Sequence, residues 1–526
     1  MRCAAAVRGV AVLSLALTVG CGPMEAGEAG TAGAELLGER VAVQRQQIRP
    51  TDGTGWNNNG FGIPAQVYDP PGGHFRVYYV TSGENAVDLT DVSPADGVPD
   101  FVAQVGTAAE ETYQSTVTAR GFRPPLDDSR YHDRPDYGGD GRFDIYLRWA
   151  GKGSDGYRVT EACTDGSDGQ SPGRCAGYFV MNPSYKGSHY PSELDGIRVL
   201  TSHELFHSIQ DAYSAGQWRT FSEGSAVWNE LQVFPNSPGT WKDYLGFLPA
   251  LFREPERPFD KSQGSGPAVA YAYGTAAFVE YLSERFGPPL IRQVWEGCEQ
   301  APGPSPSGEV PLFLDVLDAE LRKRHGSSLA TAFTEFTRWN LLTAERARPG
   351  RGYQRAAEYP SIKLEPELTT LPLTTSVEVN GLSARYLRLR PTLTEEAPIR
   401  VTVTDPVSPV PVAAAAVWPA SGEVSALHEV AEGVTLTLAP GDSLLLVVTG
   451  AVRGARARMV QVQAERMQPV APELPTESAV SCAMARPAQA TTTPRIAILA
   501  TLWLLGLGLR RRTKQTQVVD DAVLLP

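Results

Sequence analysis

Residues 199–213, VLTSHELFHSIQDAY, decide the structure that we expect at the centre of this chain. Phe206, Ile209 and Tyr213 recur at the spacing of one helix face, which predicts a helix over about residues 195–214. The polar residues of this stretch are therefore expected at fixed positions around a helix axis.

Two histidines of this helix are placed to share a metal ion. His203 and His207 are four residues apart, so their imidazoles lie on one helix face and can bind one zinc ion. Glu204 follows His203, and its carboxylate can reach a zinc-bound water without being a ligand. The HExxH motif therefore predicts a zinc site with Glu204 as general base. The alternative is two histidines that only pack on a helix face.

The third ligand is expected from the following helix, predicted over about residues 222–233 with Ser222 as its N-cap. Glu223 then lies in the first turn, sixteen residues after His207, which is far enough for an antiparallel return to the same metal. A site of two histidines and one glutamate leaves one position open, as catalytic zinc requires. Glu230 is the alternative third ligand.

Several stretches carry a resemblance to a known class of enzymes. The metzincin pattern requires Gly and His where this chain has Gln210 and Tyr213, so that class is excluded. The chain instead resembles gluzincin-type metallopeptidases, and more narrowly a poorly characterised family of secreted bacterial metalloproteases. The resemblance covers about residues 70–345 and rests on the motifs HELFH (203–207), EGSAVW (223–228), YG (273–274) and FTRWN (336–340).

The resemblance implies peptide hydrolysis, with a zinc cofactor and a protein or peptide substrate. It also implies a tyrosine or histidine, later in the chain, that donates to the oxyanion. Tyr273 is the candidate and Tyr271 the next, although both could be aromatic residues of the core. Asp211 could orient an imidazole, or it could be a solvated aspartate.

The rest of the chain predicts an α+β fold, with a zincin-like catalytic core over residues 51–350 and a C-terminal β-sandwich over residues 366–467. Strands are expected near 74–80 and 143–149, and the sandwich is indicated by period-two alternation. Helices are expected at 99–118, 195–214, 222–233, 268–286, 289–296, 312–325 and 328–343.

The N-terminus predicts export. Residues 1–21 resemble a lipoprotein signal peptide whose Cys21 is lipidated, with plain cleavage near Gly20 as the alternative. Residues 22–50 are expected to be a spacer or pro-segment.

The C-terminus predicts a second membrane anchor. A Pro/Ala/Thr-rich linker at 468–494 precedes an apolar segment with an arginine cluster at 495–512. Together with Cys482 it looks like a myxobacterial surface-sorting tail, and a buried C-terminal helix is the alternative.

Cysteine and aspartate positions lead to three smaller predictions. Cys163 and Cys175 are expected to form a disulfide in an oxidising compartment, rather than a zinc clip, and Cys298 to be a buried thiol. Aspartates at 91–100 and 127–144 resemble calcium loops without EF-hand spacing, or are acidic solvated loops. The net charge of −12 argues against nucleic acid as a partner.

These observations predict a zinc metalloendopeptidase that is exported and anchored at the cell surface. The alternative, from another class, is a non-catalytic surface adhesin that binds through the β-sandwich, with structural zinc or none.

Overall fold

The computed structural model describes residues 34–36, 39–43, 49, 60–127, 140–165, 172–215, 217, 219–260, 267–299, 313–405 and 412–468. The predicted signal peptide, the linker beyond Gln468 and the segment at 495–512 lie outside these residues, as does Cys482. Residues 34–36 and 39–43, which lie within the predicted spacer or pro-segment, are strands. Among the described residues, no helix is both long and apolar enough to cross a membrane.

The chain has an α+β fold, and its first sheet has seven strands in the order β1-β2-β6-β7-β5-β4-β3. β5 is parallel to both β4 and β7, and the other neighbouring pairs are antiparallel. The strands are β1 (Ala34–Leu36), β2 (Glu39–Val43), β3 (Gln66–Tyr68), β4 (Phe75–Tyr79), β5 (Phe143–Leu147), β6 (Gly156–Asp165) and β7 (Pro172–Met181).

Successive side chains of a strand point to opposite faces of a sheet. In this sheet, buried residues lie on both faces. Val77 and Ile145 belong to the main core, which the helices complete. Tyr78, Tyr146 and Tyr178 form a smaller cluster on the opposite face. The predicted strands near 74–80 and 143–149 are therefore confirmed as β4 and β5.

β6 and β7 were not predicted, because the Gly/Ser/Asp-rich residues between them indicate only a loop. The predicted disulfide between Cys163 and Cys175 is confirmed and joins these two strands. Cys298 is a buried thiol, as expected, and burial raises its pKa to about 12.

Nine α-helices lie in the described part of the chain, and most match the predicted ones. The predicted helix at 268–286 is two helices, α5 and α6, which meet at Thr275. α4 was not predicted, because Pro238 and Pro249 mask its helical pattern. The helices are α1 (Asp100–Tyr113), α2 (Glu193–Asp211), α3 (Arg219–Val233), α4 (Pro238–Phe252), α5 (Pro267–Gly274), α6 (Ala276–Phe286), α7 (Pro289–Cys298), α8 (Phe313–His325) and α9 (Leu329–Leu341).

The C-terminal part contains two four-stranded antiparallel sheets, ordered β13-β10-β15-β8 and β12-β11-β14-β9. One hydrophobic cluster contains residues of both sheets and fills the space between them. The strands are β8 (Leu373–Val379), β9 (Ser383–Leu389), β10 (Ala397–Thr404), β11 (Val412–Trp418), β12 (His428–Glu429), β13 (Val434–Leu438), β14 (Ser443–Gly450) and β15 (Arg458–Arg466).

The sheet that contains β14 is buried on both faces. Leu446 and Val448 point between the two sheets, whereas Leu445 and Val447 belong to the main core with the helices. The Tyr386 hydroxyl on β9 also donates to a backbone carbonyl of α9, at 2.9 Å. Burial on both faces explains the unbroken apolar run of β14. The sheet β12-β11-β14-β9 therefore shares a core with the helices.

We predict that Leu445→Ala and Leu446→Ala each lower the free energy of unfolding by about 2–5 kcal/mol, because each empties a different packed core. Urea unfolding of the intact chain measures both, with Val452→Ala at an exposed position as the control. A loss below about 0.5 kcal/mol for Leu445→Ala would contradict the shared core.

Candidate metal centre

α2 carries the HExxH motif through the interior of the protein. Ser192 caps the helix by accepting from the backbone N–H of Asp195 at 3.1 Å. The helix packs against β6 and β7 on one side and against α1, α3 and α4 on the others. His203, Glu204 and His207 are consequently all buried, with 3–6% of their surface exposed.

His203, His207 and Glu223 converge on one point between α2 and α3. The two imidazole Nε2 atoms are 3.1 Å apart. Glu223 Oε2 lies 3.4 Å from Nε2 of His203 and 3.3 Å from Nε2 of His207. Of the described residues, these three alone form such a group, and it could hold a metal ion.

The Nδ1 atom of each imidazole also has a hydrogen-bond partner. His203 Nδ1 contacts Glu230 Oε1 at 2.7 Å, and His207 Nδ1 contacts Gln210 Oε1 at 2.9 Å. Glu230 therefore orients His203 rather than completing the group, which corrects its place as the alternative third ligand. The sequence alone indicates no role for Gln210, although its position three residues after His207 puts it within reach of that ring.

The charges of the centre suit a cation. Although burial opposes the charged form, Glu223 and Glu230 hold the pKa of His203 well above its ordinary value. Burial also opposes ionisation of Glu223, but the two imidazoles hold the pKa of this carboxyl well below its ordinary value. Burial raises the pKa of Glu230 to about 8, against the opposing effect of His203. Glu223 is thus a buried carboxylate that attracts positive charge.

α3 begins earlier than predicted, which changes the position of Glu223 within it. The helix starts at Arg219, so Ser222 is not its N-cap and Glu223 lies in its second turn. The reason is Phe221, whose ring stacks on those of Trp295 and Phe313, with centroids 4.9 and 4.6 Å away. This packing extends the helix into the predicted loop.

Gly224 permits a close approach between two parts of the fold. A Cβ atom there would lie 2.6 Å from Thr275 Oγ1 and 3.2 Å from the backbone nitrogen of Ala276. Gly224 therefore lets α3 approach the junction of α5 and α6 rather than α2.

Glu204 lies beside the triad of His203, His207 and Glu223 but is not part of it. Its Oε2 is buried and makes no hydrogen bond within the described residues. Gly156, the first residue of β6, lies against it, since a Cβ at that glycine would be 3.6 Å from Glu204 Cγ. Within the described residues, this carboxylate oxygen therefore has no hydrogen-bond partner, and the Glu204 side chain lies against the start of β6.

The two candidate tyrosines lie in different places. The Tyr273 ring stacks against His203 at 5.8 Å and against Phe247 at 4.7 Å, so it borders the centre. Tyr271 lies under Arg257, whose guanidinium is 4.4 Å from the ring centroid, and belongs to the cavity beside α9. The structure thus brings Tyr273, and not Tyr271, to the metal centre.

Asp211 was predicted either to orient an imidazole or to be solvated, and it has neither environment. It is 4% exposed, so it is not solvated, and it forms an ion pair with Arg158 on β6 at 2.6 Å. Burial raises its pKa, while Arg158 opposes this effect. Asp211 therefore ties the end of α2 to β6.

The aspartates of the predicted calcium loops have other contacts. Asp91 accepts from the backbone N–H groups of Asp96 and Gly97, at 3.1 and 2.8 Å. Asp140 contacts Arg142 and Arg76. Residues 128–139 lie outside the described residues, so calcium there stays a prediction.

No protein-family model matches the chain, and no curated protein matches it. Among solved structures, it is similar to the pre-peptidase C-terminal domain of collagenase from Bacillus anthracis, with 12% identity and a TM-score of 0.16, over 20% of this chain and 98% of that one. It is also similar to PliG of Salmonella Typhimurium, a periplasmic inhibitor of g-type lysozyme, with 10% identity and a TM-score of 0.15, over 19% and 98%. Likenesses at such TM-scores carry no functional argument.

We predict that Glu223→Ala abolishes stoichiometric metal binding, whereas Glu230→Ala retains it with affinity about 10–100-fold weaker, because Glu230 contacts only a ligand. Metal per chain is measured by mass spectrometry after dialysis against trace divalent metals. Full metal content in Glu223→Ala, or none in Glu230→Ala even at saturating metal, would reverse the assigned roles.

Proposed function

We propose that the protein is a zinc-dependent peptidase, with a zincin-like core and a C-terminal β-sandwich. His203, His207 and Glu223 would hold the metal, and Glu204 would act as general base. The observation that carries the proposal is the buried convergence of two imidazoles and a carboxylate beside Glu204, whose Oε2 is buried without a hydrogen-bond partner within the described residues.

The donor set supports zinc over calcium. Zinc prefers tetrahedral sites with bonds of about 2.0–2.1 Å to nitrogen and oxygen, and a tetrahedron of that size has edges of about 3.3–3.4 Å. The observed separations of the three ligand atoms are 3.1, 3.3 and 3.4 Å. Calcium instead takes six to eight oxygen ligands, which two imidazoles cannot supply.

Glu204 supplies the acid–base function. Zinc bound at the site would contribute Lewis acidity, which polarises a carbonyl and acidifies water. The unpartnered Oε2 of Glu204 can take a proton from the attacking water and then give it to the leaving amine nitrogen. Tyr273, which stacks on His203, remains the candidate for contact with the developing oxyanion.

A strand edge beside Glu204 favours a peptide as the substrate. Within the described residues, the outer edge of β6 pairs with β2 only from Ala162 to Thr164. The preceding part of β6 begins at Gly156, against Glu204. An extended peptide can add to such an edge through main-chain hydrogen bonds. Its amide bonds would then pass the general base.

Glu204 also argues against the alternative of an adhesin with structural zinc. An unsatisfied buried carboxylate oxygen costs about 1–3 kcal/mol or more, and a structural site has no use for it. No observation in the described part of the chain favours the adhesin.

We also propose that the protein is exported and tethered to a membrane through one or both termini. The disulfide between Cys163 and Cys175 supports an oxidising compartment. The terminal segments themselves lie outside the described residues.

We predict that Glu204→Gln keeps its zinc but loses about 10²–10⁴-fold in peptide hydrolysis, because the amide cannot accept the proton. Activity is measured by mass spectrometry of new N-termini in a mixture of unfolded peptides, and zinc in the same samples. Glu111→Gln, at an exposed position of α1, is the matched control and should retain full activity.

Hydrolysis by Glu204→Gln within about tenfold of the wild-type rate would contradict the general-base role. A zinc-loaded wild-type chain that cleaves none of the peptides would contradict the proposed peptidase activity.

A further inference from the structure

We propose that Gln210 is a positioning residue that fixes two metal ligands at once, His207 directly and Glu223 through the backbone before it. Its side-chain oxygen lies 2.9 Å from His207 Nδ1. Its side-chain nitrogen donates to the backbone carbonyl of Ser222 at 2.8 Å, and Ser222 immediately precedes Glu223. The inference rests on the proposed metal site.

The Ser222 carbonyl determines which way the Gln210 amide faces. A carbonyl oxygen can only accept, so the nitrogen of the amide must face it. The amide oxygen must then face His207, which requires the proton of that imidazole to be on Nδ1. The lone pair of His207 Nε2 is consequently directed towards Glu223 and His203. The Ser222 carbonyl thus selects the tautomer of His207 whose Nε2 can bind a metal ion.

The second N–H of the amide reinforces the link to α3. It donates to Ser225 Oγ at 3.2 Å, and Ser225 in turn donates to the carbonyl of Phe221 at 2.6 Å. Gln210 is 3% exposed and Ser225 is fully buried, so water does not compete for these contacts. Gln210 therefore holds the end of α2 against the turn of α3 that carries Glu223.

The two histidines are oriented by chemically different groups, and the difference has a physical reason. Glu230, which contacts His203, has only to accept a hydrogen bond. Gln210 must accept from His207 and also donate to α3. A glutamate at this position would keep the acceptor but place a carboxylate against the Ser222 carbonyl. An amide is the side chain of this length that performs both functions.

The test uses the full chain with Gln210→Ala, the near-isosteric Gln210→Glu, and Gln217→Ala as matched control. Gln217 lies in the same connection between α2 and α3 but donates to Ser214, away from the ligands. Zinc affinity is measured by competition with a chromophoric chelator. The ligand-field spectrum of the Co²⁺ form reports coordination geometry, and thermal unfolding is measured without metal.

We expect Gln210→Ala to bind zinc about 10–100-fold more weakly and Gln210→Glu to bind it more weakly than wild type, both with altered Co²⁺ spectra. Gln217→Ala should match wild type, and all metal-free forms should unfold within a few degrees of one another.

Wild-type zinc affinity and Co²⁺ spectrum in Gln210→Ala would overturn the inference while leaving the metal site intact. Affinity in Gln210→Glu equal to or above wild type would overturn the donor link to α3. A metal-free Gln210→Ala chain that is destabilised in proportion to its loss of affinity would show a merely structural role. A wild-type chain that binds no zinc would overturn the proposed function together with the inference.

Discussion

The meeting of three electron-rich atoms between α2 and α3 is the constraint on which the surrounding structure depends. Two imidazole nitrogens and a carboxylate oxygen lie 3.1–3.4 Å apart in the interior, where unneutralised polar groups are strongly destabilising. The neighbouring contacts hold this arrangement in place: Glu230 fixes one ring, the Gln210 amide fixes the other, and Gly224 lets α3 sit close to the α5–α6 junction. Within the described residues, Glu204 Oε2 beside this group is buried without a hydrogen-bond partner, as is Glu230 Oε2. A buried acceptor of this kind is typical of a reactive site.

Much of the fold follows from local pattern, and the failures have physical causes. α1 and α9 carry clear helical periodicity, whereas α2 is buried on nearly all sides, and all three helices were predicted within a few residues. β6 and β7 were missed because turn-forming residues dominate the loop between them. α4 was missed because two prolines interrupt its pattern, although one stands at its start, where proline is tolerated. β14 has an unbroken apolar run because the helices cover the face that does not meet the second sheet.

Local sequence likewise predicts one part of the candidate site, whereas the other part depends on tertiary packing. The four-residue spacing of His203 and His207 is a local property of a helix, and it is sufficient to predict their shared face. The roles of Glu223 and Glu230 depend on where α3 begins and how it rotates against α2, which the aromatic stack at Phe221 determines. Gln210 and Asp211 are adjacent polar residues of similar character, yet one orients a ligand and the other binds Arg158 on β6. Only tertiary packing distinguishes them, so sequence alone could not assign their roles.

X-ray absorption at the zinc K-edge of the purified chain would show whether His203, His207 and Glu223 form the zinc site that we propose. We expect four or five nitrogen and oxygen ligands at about 2.0–2.1 Å, with the multiple-scattering pattern of two imidazoles and no sulfur. A sulfur ligand at about 2.3 Å, or a spectrum without imidazole scattering, would place the zinc elsewhere and contradict this site.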